Sequence, residues 1–366
     1  MARILIFIDN FEKGGAARVV SNILPGLVKE GHDVVLSTDN VKYAISYPCP
    51  DRVSIRSFHA VRRRIPILGG IIKQHSLINE ARLIIKDVKP DCIIAVTYLV
   101  YSQIYYANKG TGIPLIAYDH TSFNRNLGLL GNYIRYKLYG RCDRLIVLTE
   151  KDAVIAREKY GFSNVSVIYN PLSFKPIDIP VTRKKAVLCV GRINSWNVKG
   201  FDRIINIWNN LSESFREWEL HIAGPGDKRA VEYLTGLAQT PSARKTIRFI
   251  GNISDMQFLY RQYEIFALPS RIEGFPMSLQ EALSQGCACI SFSMYGAVEE
   301  MMRDGISGII VADNDLDTFE TNLSKLLCDV SLRERLSANG TAESHRFTLS
   351  KHMEAWNKIF RSLEIL

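Results

Sequence analysis

Twelve short apolar runs, separated by longer stretches, constrain this 366-residue chain more than any other feature. ILIFI (4–8), DVVLST (33–38), DCIIAVT (91–97), PLIAYDH (114–120), RLIVLTE (144–150) and VSVIYN (165–170) come first. Runs that stay apolar rather than alternating with polar residues suit strands covered on both faces, the environment of a parallel sheet. Residues 15–30 and about 68–86 carry helical periodicity between them. The series breaks at 170–185, where NPLSFKPIDIPVTRKK holds three prolines and no periodicity. It restarts with AVLCVGR (186–192), ELHIAGPG (219–226), IRFIGN (247–252), EIFALPS (264–270), CACISF (287–292) and SGIIV (307–311). The expected fold is therefore α/β, with two Rossmann-like domains at 1–170 and 186–345 joined by a linker at 171–185. The tail, 346–366, reads as a helix crossing back to the first domain. Open parallel sheets bind ligands at the carboxyl ends of their strands, so the site is expected in a cleft between the domains.

A hydrophobic content of 47% fills two cores and excludes a disordered or disulfide-scaffold chain. The seven cysteines (49, 92, 142, 189, 287, 289 and 328) are odd in number and show no CxxC pairing or zinc spacing. They read as reduced thiols of a cytoplasmic protein. The start, MARILIFIDN, is too short for a secretory signal, and no uncharged run approaches the roughly 18 to 20 residues of a membrane span.

The net charge of +9 is unevenly spread. Through Lys175 there are 24 Lys and Arg against 14 Asp and Glu; the remainder has 22 against 23. A basic half suggests nucleic acid first, but Arg62, Arg63 and Arg64 stand beside an apolar tract that includes Ile71 and Ile72. That juxtaposition favours peripheral contact with an anionic membrane surface over nucleic acid. A solvated face before an ordinary core helix is the alternative.

The densest chemical signal is SRIEGFPMSLQEA (270–282), directly after the apolar run IFALP. Pro276 suits the first position of a helix, which places Glu273 on the preceding loop and Glu281 on the second helical turn. A diphosphate fits between two such carboxylates beside the free N–H groups of the helix start.

In this context the segment resembles the paired-glutamate signature of retaining glycosyltransferases of family 4, which have the GT-B fold, and the resemblance covers essentially the whole chain. It implies that Glu273 contacts the transferred sugar and Glu281 the ribose of the nucleotide, with Gly274, Phe275, Pro276, Met277 and Ser278 lining the donor site. Gly191-Arg192 and Lys199-Gly200 resemble the family's cationic pair, so Arg192 and Lys199 would neutralise the departing diphosphate. Gly224 and Gly226 close a strand in a tight turn near the same site. FIGN (249–252) resembles the segment that packs the nucleobase, through Ile250, although alone it is a strand end. In the first half, NFEKGGAARV (10–19) resembles the family's GGAERV segment, with Gly14 and Gly15 admitting an anion at a helix start and Ala17 replacing the usual Glu. His120, in DHTS after a strand, would touch the donor sugar or the acceptor.

Asp313, Asp315 and Asp317 form a DxD-like pattern, assigned to a helix start rather than to a metal. The resemblance implies a hexose or N-acetylhexosamine moved, without a metal or other cofactor, from a nucleotide diphosphate sugar, UDP-linked, to a glycan or lipid-linked glycan of surface polysaccharide. It further implies front-face attack, with the leaving phosphate accepting the acceptor's proton. An epimerase or hydrolase of the same form, or a non-enzymatic sugar-binding protein, is the alternative.

Overall fold

The computed structural model describes residues 1–11, 14–38, 47–58, 68–178 and 181–366. Arg62, Arg63 and Arg64 lie outside the described residues, as do the side chains of Ile71 and Ile72. The chain divides into two units: unit 1 is Met1–Ser173 with Leu349–Leu366, and unit 2 is Phe174–Thr348.

Unit 1 is built on a sheet of β1 (Arg3–Ile8), β2 (Asp33–Thr38), β3 (Ser54–Ser57), β4 (Cys92–Val96), β5 (Leu115–Tyr118), β6 (Arg144–Val147) and β7 (Val165–Val167), in the spatial order 3-2-1-4-5-6-7. All its pairings are parallel, for example Leu5 against Val35 on one side and Ile93 on the other. Every residue of β4 is buried, as expected of a central strand covered by helices on both faces. The sequence reading missed β3, whose SIRS is polar and alternates in exposure because it lies at the sheet edge.

Unit 2 repeats the plan. β8 (Lys184–Val190), β9 (Glu219–Ala223), β10 (Ile247–Gly251), β11 (Tyr263–Leu268), β12 (Ala288–Phe292) and β13 (Ile309–Val311) form a parallel sheet in the order 10-9-8-11-12-13. Its core includes Trp208, fully enclosed, with the indole N–H donating to Thr246 Oγ1 at 2.9 Å so that the one polar atom of a large apolar side chain is satisfied. In both sheets the strand order reverses between two strands that leave in opposite directions, β1 and β4 in the first, β8 and β11 in the second. At such a reversal the two flanking loops diverge and leave a crevice at the carboxyl edge.

The segment read as a linker at 171–185 is partly built into unit 2. Ile177 N–H donates to the Ser284 carbonyl, Lys175 O accepts from Gln285 Nε2, and Arg183 reaches the carbonyls of Tyr263 and Gln285. Lack of periodicity marks an irregular backbone, which can still be anchored by hydrogen bonds. The last helix, Leu349–Ser362, belongs to unit 1 and packs on Gly15–Lys29: a methyl group at Gly26 would lie 2.7 Å from Met353 Sδ, and Asn357 Nδ2 donates to Glu30 at 3.0 Å. With that helix included, unit 1 carries 26 cationic and 16 acidic side chains, and unit 2 carries 20 and 21. Among the described residues no helix is long and apolar enough to cross a membrane.

Candidate active site

In unit 2 the loops after β8, β9 and β10 are tied side by side. Gly191 N–H donates to Ala223 O, Gly224 N–H to Gly251 O, and Ile193 N–H to Pro225 O, at 2.8 to 2.9 Å. Gly224 has φ +144, and a Cβ there would stand 1.8 Å from the Gly191 carbonyl oxygen. Only glycine fits, and the reason is loop packing. Gly226 likewise faces Ile193, so both glycines assigned to donor binding have a structural demand that accounts for them. Ile250 is half-buried at the register shift between Phe249 and Gly251.

After Gly191 and the exposed Arg192, the chain makes a one-turn helix, Trp196–Lys199, and reverses at Gly200 in the left-handed region with φ +68. A Cβ at Gly200 would meet the Pro269 carbonyl oxygen at 1.8 Å, so this turn and the end of β11 touch backbone to backbone. The Lys199 stem runs over Gly191, and its Nζ reaches Glu273 Oε1 at 2.7 Å. Ser270 Oγ, from a fully buried residue, donates to the same oxygen at 2.8 Å. Two residues identified in different motifs are thus brought together across the β8/β11 reversal. Lys199, read from the sequence as a cation for the departing diphosphate, also pairs with Glu273 in this structure.

A second ion pair fixes the geometry, and sequence reasoning assigned it no role. Arg271 grips Asp202 with both terminal nitrogens, at 2.8 and 2.6 Å, and also donates to the Asn197 carbonyl at 2.5 Å, while its own N–H donates to Val198 O. A planar, two-point pair of this kind orients as well as attracts. Its only signal in sequence is opposite charges next to the two motif residues.

The helix begins at Met277 and runs to Ser284, with Pro276 at the N-cap rather than inside. Met277 and Ser278 therefore form the first turn, where backbone N–H groups have no acceptor within the helix. Gly274 is half-buried just before it. Phe275 is buried, its ring 6.0 Å from that of Phe347 in an edge-on contact, so it anchors the loop. Glu281 is 3% exposed on the inner side of the helix. Of the aspartates, Asp313 pairs with Arg203 at 3.0 Å and Asp315 caps the helix Leu316–Cys328 by accepting from Thr318 N–H.

In unit 1, Gly14 caps the helix Gly15–Lys29 with φ 150, and among the described residues nothing lies within 4 Å of a methyl group placed on Gly15. Gly14 N–H donates to the Tyr47 hydroxyl at 3.5 Å, and the space at Gly15 leaves room beside this helix start. Two strands away, His120 follows the end of β5 by two residues. Its ring lies 4.2 Å from that of Tyr118, and its Nε2 is enclosed without a hydrogen-bond partner among the described residues. Burial, reinforced by nearby His352, pushes its pKa down to about 3, so His120 is neutral at ordinary pH. The loop behind it is held by Arg135, a buried guanidinium donating to the carbonyls of Thr121, Ser122, Phe123 and Arg125 at 3.1 to 3.2 Å and lying 3.5 Å from Asp119. Burial raises the Asp119 pKa, an effect that Arg135 opposes.

Between these two points, at the end of β4, sits Thr97, which sequence reasoning passed over as the last residue of a strand. Its φ of +75 is rare and strained for a β-branched residue, and its Oγ1 is enclosed without a partner among the described residues. No residue-type pattern signals this, because the strain comes from the turn between β4 and the helix Tyr98–Asn108.

Residues 13–174 match the model described as Glycosyltransferase Family 4, and residues 174–343 that described as Glycosyl transferases group 1. An uncharacterized glycosyltransferase of Haemophilus influenzae is 26% identical over 98% of this chain and 100% of its own. The Campylobacter jejuni enzyme that adds N-acetylgalactosamine to GalNAc-alpha-(1->4)-GalNAc-alpha-(1->3)-diNAcBac-PP-undecaprenol is 25% identical over 100% of this chain and 99% of its own. Anabaena HepE, solved with UDP, superposes with a TM-score of 0.79 at 16% identity, covering 100% of both chains. The two parallel-sheet units are those of the GT-B fold. Matched by one family model in each half, the chain belongs to the glycosyltransferases, its first half to Glycosyltransferase Family 4 and its second to Glycosyl transferases group 1.

Proposed function

We propose that this glycosyltransferase moves a hexose or N-acetylhexosamine from a UDP-linked donor, with retention of configuration and without a metal, to a lipid-linked oligosaccharide or lipopolysaccharide acceptor in surface polysaccharide assembly. The observation that carries the reading is the pair of Lys199 and Glu273 at the strand-order reversal of unit 2. A carboxylate held by a lysine and a buried serine is fixed in orientation, which suits hydrogen bonding to sugar hydroxyls. Arg192 and Lys199 supply positive charge for a leaving diphosphate, and the first turn at Met277 and Ser278 supplies N–H donors. Glu281 takes the ribose, and Ile250 lies at the strand end suited to the base. In unit 1 the helix start at Gly14 and Gly15, with neutral His120, holds the acceptor or the transferred sugar.

The name of the Campylobacter relative supports a lipid diphosphate acceptor, and the UDP complex of HepE supports a UDP donor. Asp313 and Asp315 are engaged by Arg203 and a helix start, which supports phosphate stabilisation by side-chain cations. The reaction is placed at the cytoplasmic face of a membrane, where lipid-linked acceptors present their sugars. Thermal denaturation against a panel of nucleotide sugars tests the reading: a true donor at 100 times its dissociation constant stabilises by about 2.7 kcal/mol. Transfer to a lipid-linked acceptor, followed by assignment of the product anomer, completes it. An inverted product, or hydrolysis without transfer, overturns the proposal.

A further inference from the structure

The helix Gly128–Lys137 of unit 1 buries one side and leaves four large apolar side chains on the other. Leu129 is 95% exposed, Leu130 60%, Tyr133 52% and Tyr136 58%. Positions 129, 133 and 136 fall on one helical face with 130 beside them, so these form a stripe rather than scattered exposures. Single exposed apolar residues are ordinary, whereas a contiguous stripe is costly in water and marks a surface meant to be covered. The inner side, Gly131, Ile134 and Arg135, is buried.

The charge around this stripe selects its partner. From His120 to Cys142 there is no Asp or Glu, while Arg125, Lys137 and Arg141 are exposed cations. Lys137 Nζ lies 4.6 Å over the Tyr136 ring, and Arg141 donates to Tyr105 OH at 3.1 Å, so the fringe of the stripe mixes aromatic rings with positive charge. Leucines flanked by tyrosines and cations are the composition of a helix lying in the headgroup region of an anionic bilayer: leucines enter the acyl boundary, tyrosine hydroxyls stay at the interface and cations meet phosphate.

Resting on the reading that the acceptor is lipid-linked, we propose that the outer face of Gly128–Lys137 docks on an anionic lipid bilayer and so seats the acceptor side of unit 1 at the membrane. The inner face of the same helix explains the coupling to function. Arg135 binds four carbonyls of the loop that follows His120, so helix and loop are one rigid piece. Lipid on the outer face is then about one helix diameter, roughly 10 Å, from that loop.

The test is sedimentation with vesicles of phosphatidylethanolamine and phosphatidylglycerol, compared with phosphatidylcholine alone, alongside UDP binding by the same preparations. Leu129→Asp/Tyr133→Asp is expected to weaken association with anionic vesicles by about 100-fold or more, since apolar burial is lost and like charge added. Lys137→Ala/Arg141→Ala is expected to weaken it about 30-fold, at about 1 kcal/mol per cation. Both variants should melt like the parent and retain UDP affinity and transfer to a water-soluble acceptor, because these side chains are exposed. Three results overturn the proposal: undiminished sedimentation of the Asp variant, loss only in Arg62→Ala/Arg63→Ala/Arg64→Ala, or a parent chain that ignores vesicles but self-associates through this face. Absence of UDP binding in the parent instead defeats the glycosyl-transfer reading and leaves the lipid result standing by itself.

Discussion

Lys199 Nζ and Glu273 Oε1, 74 residues apart in the chain, meet at 2.7 Å, with the side chains 24% and 14% exposed. A pair this sheltered is a shared element of the site rather than a surface salt bridge. Lys199→Ala and Glu273→Gln should each lower kcat on the order of 100-fold. In a double-mutant cycle on kcat/KM the double variant should lose less than the product of the two, by a coupling of about 1 kcal/mol or more. Strict additivity would mean that the two residues act independently.

Glu281 and Glu273 should separate in kinetics. Glu281→Ala is expected to raise the dissociation constant for UDP, because ribose is bound equally in ground and transition states. Glu273→Ala is expected to act mainly on turnover. Equal small effects in calorimetric binding and in kcat would remove both assignments.

Gly200 and Gly15 make opposite forecasts for the same substitution. Gly200→Ala forces a side chain into the left-handed region and against the Pro269 carbonyl, so it should destabilise by about 2 kcal/mol or more and weaken the site by moving Lys199. Gly15→Ala meets open space at the first residue of a helix and should leave stability within about 0.5 kcal/mol. Denaturant melts of the two variants decide it, and similar losses would contradict the packing argument.

His352 predicts an acid limit. It is locked neutral, Nδ1–H donating to Tyr169 O and Nε2 accepting from the Trp356 indole N–H, and burial pushes its pKa down to about 4. Unfolded, it titrates near an ordinary value of about 6.5. Between those values the unfolded chain binds a proton that the folded chain refuses, so this contribution is full above about pH 6.5 and falls as pH drops toward 4, by up to about 3 kcal/mol. His120 acts in the same direction. His352→Gln should therefore lose less stability than the parent between pH 7 and pH 4.5 in denaturant titrations; identical losses would reject the assignment.

Activity should survive EDTA, since Asp315 is occupied as a helix cap and Asp313 by Arg203. Loss of transfer that Mg2+ or Mn2+ restores would call for a metal in the donor complex.

The amino-acid sequence alone determined the two parallel sheets, because central parallel strands must be apolar on both faces and twelve runs of that kind stand clear of their surroundings. It also marked Glu273, Glu281, Arg192 and Lys199 as candidates through a family resemblance, because each motif is local to a loop and the helix after it. Only the tertiary structure decided that Lys199 and Glu273 share charge, since their contact depends on the β8/β11 reversal and on the bare backbone of Gly200 against Pro269. The polar edge strand Ser54–Ser57, the strained Thr97 and the clamp of Arg271 on Asp202 were likewise invisible. Each depends on which neighbour the fold supplies, and residue type and spacing carry no record of that.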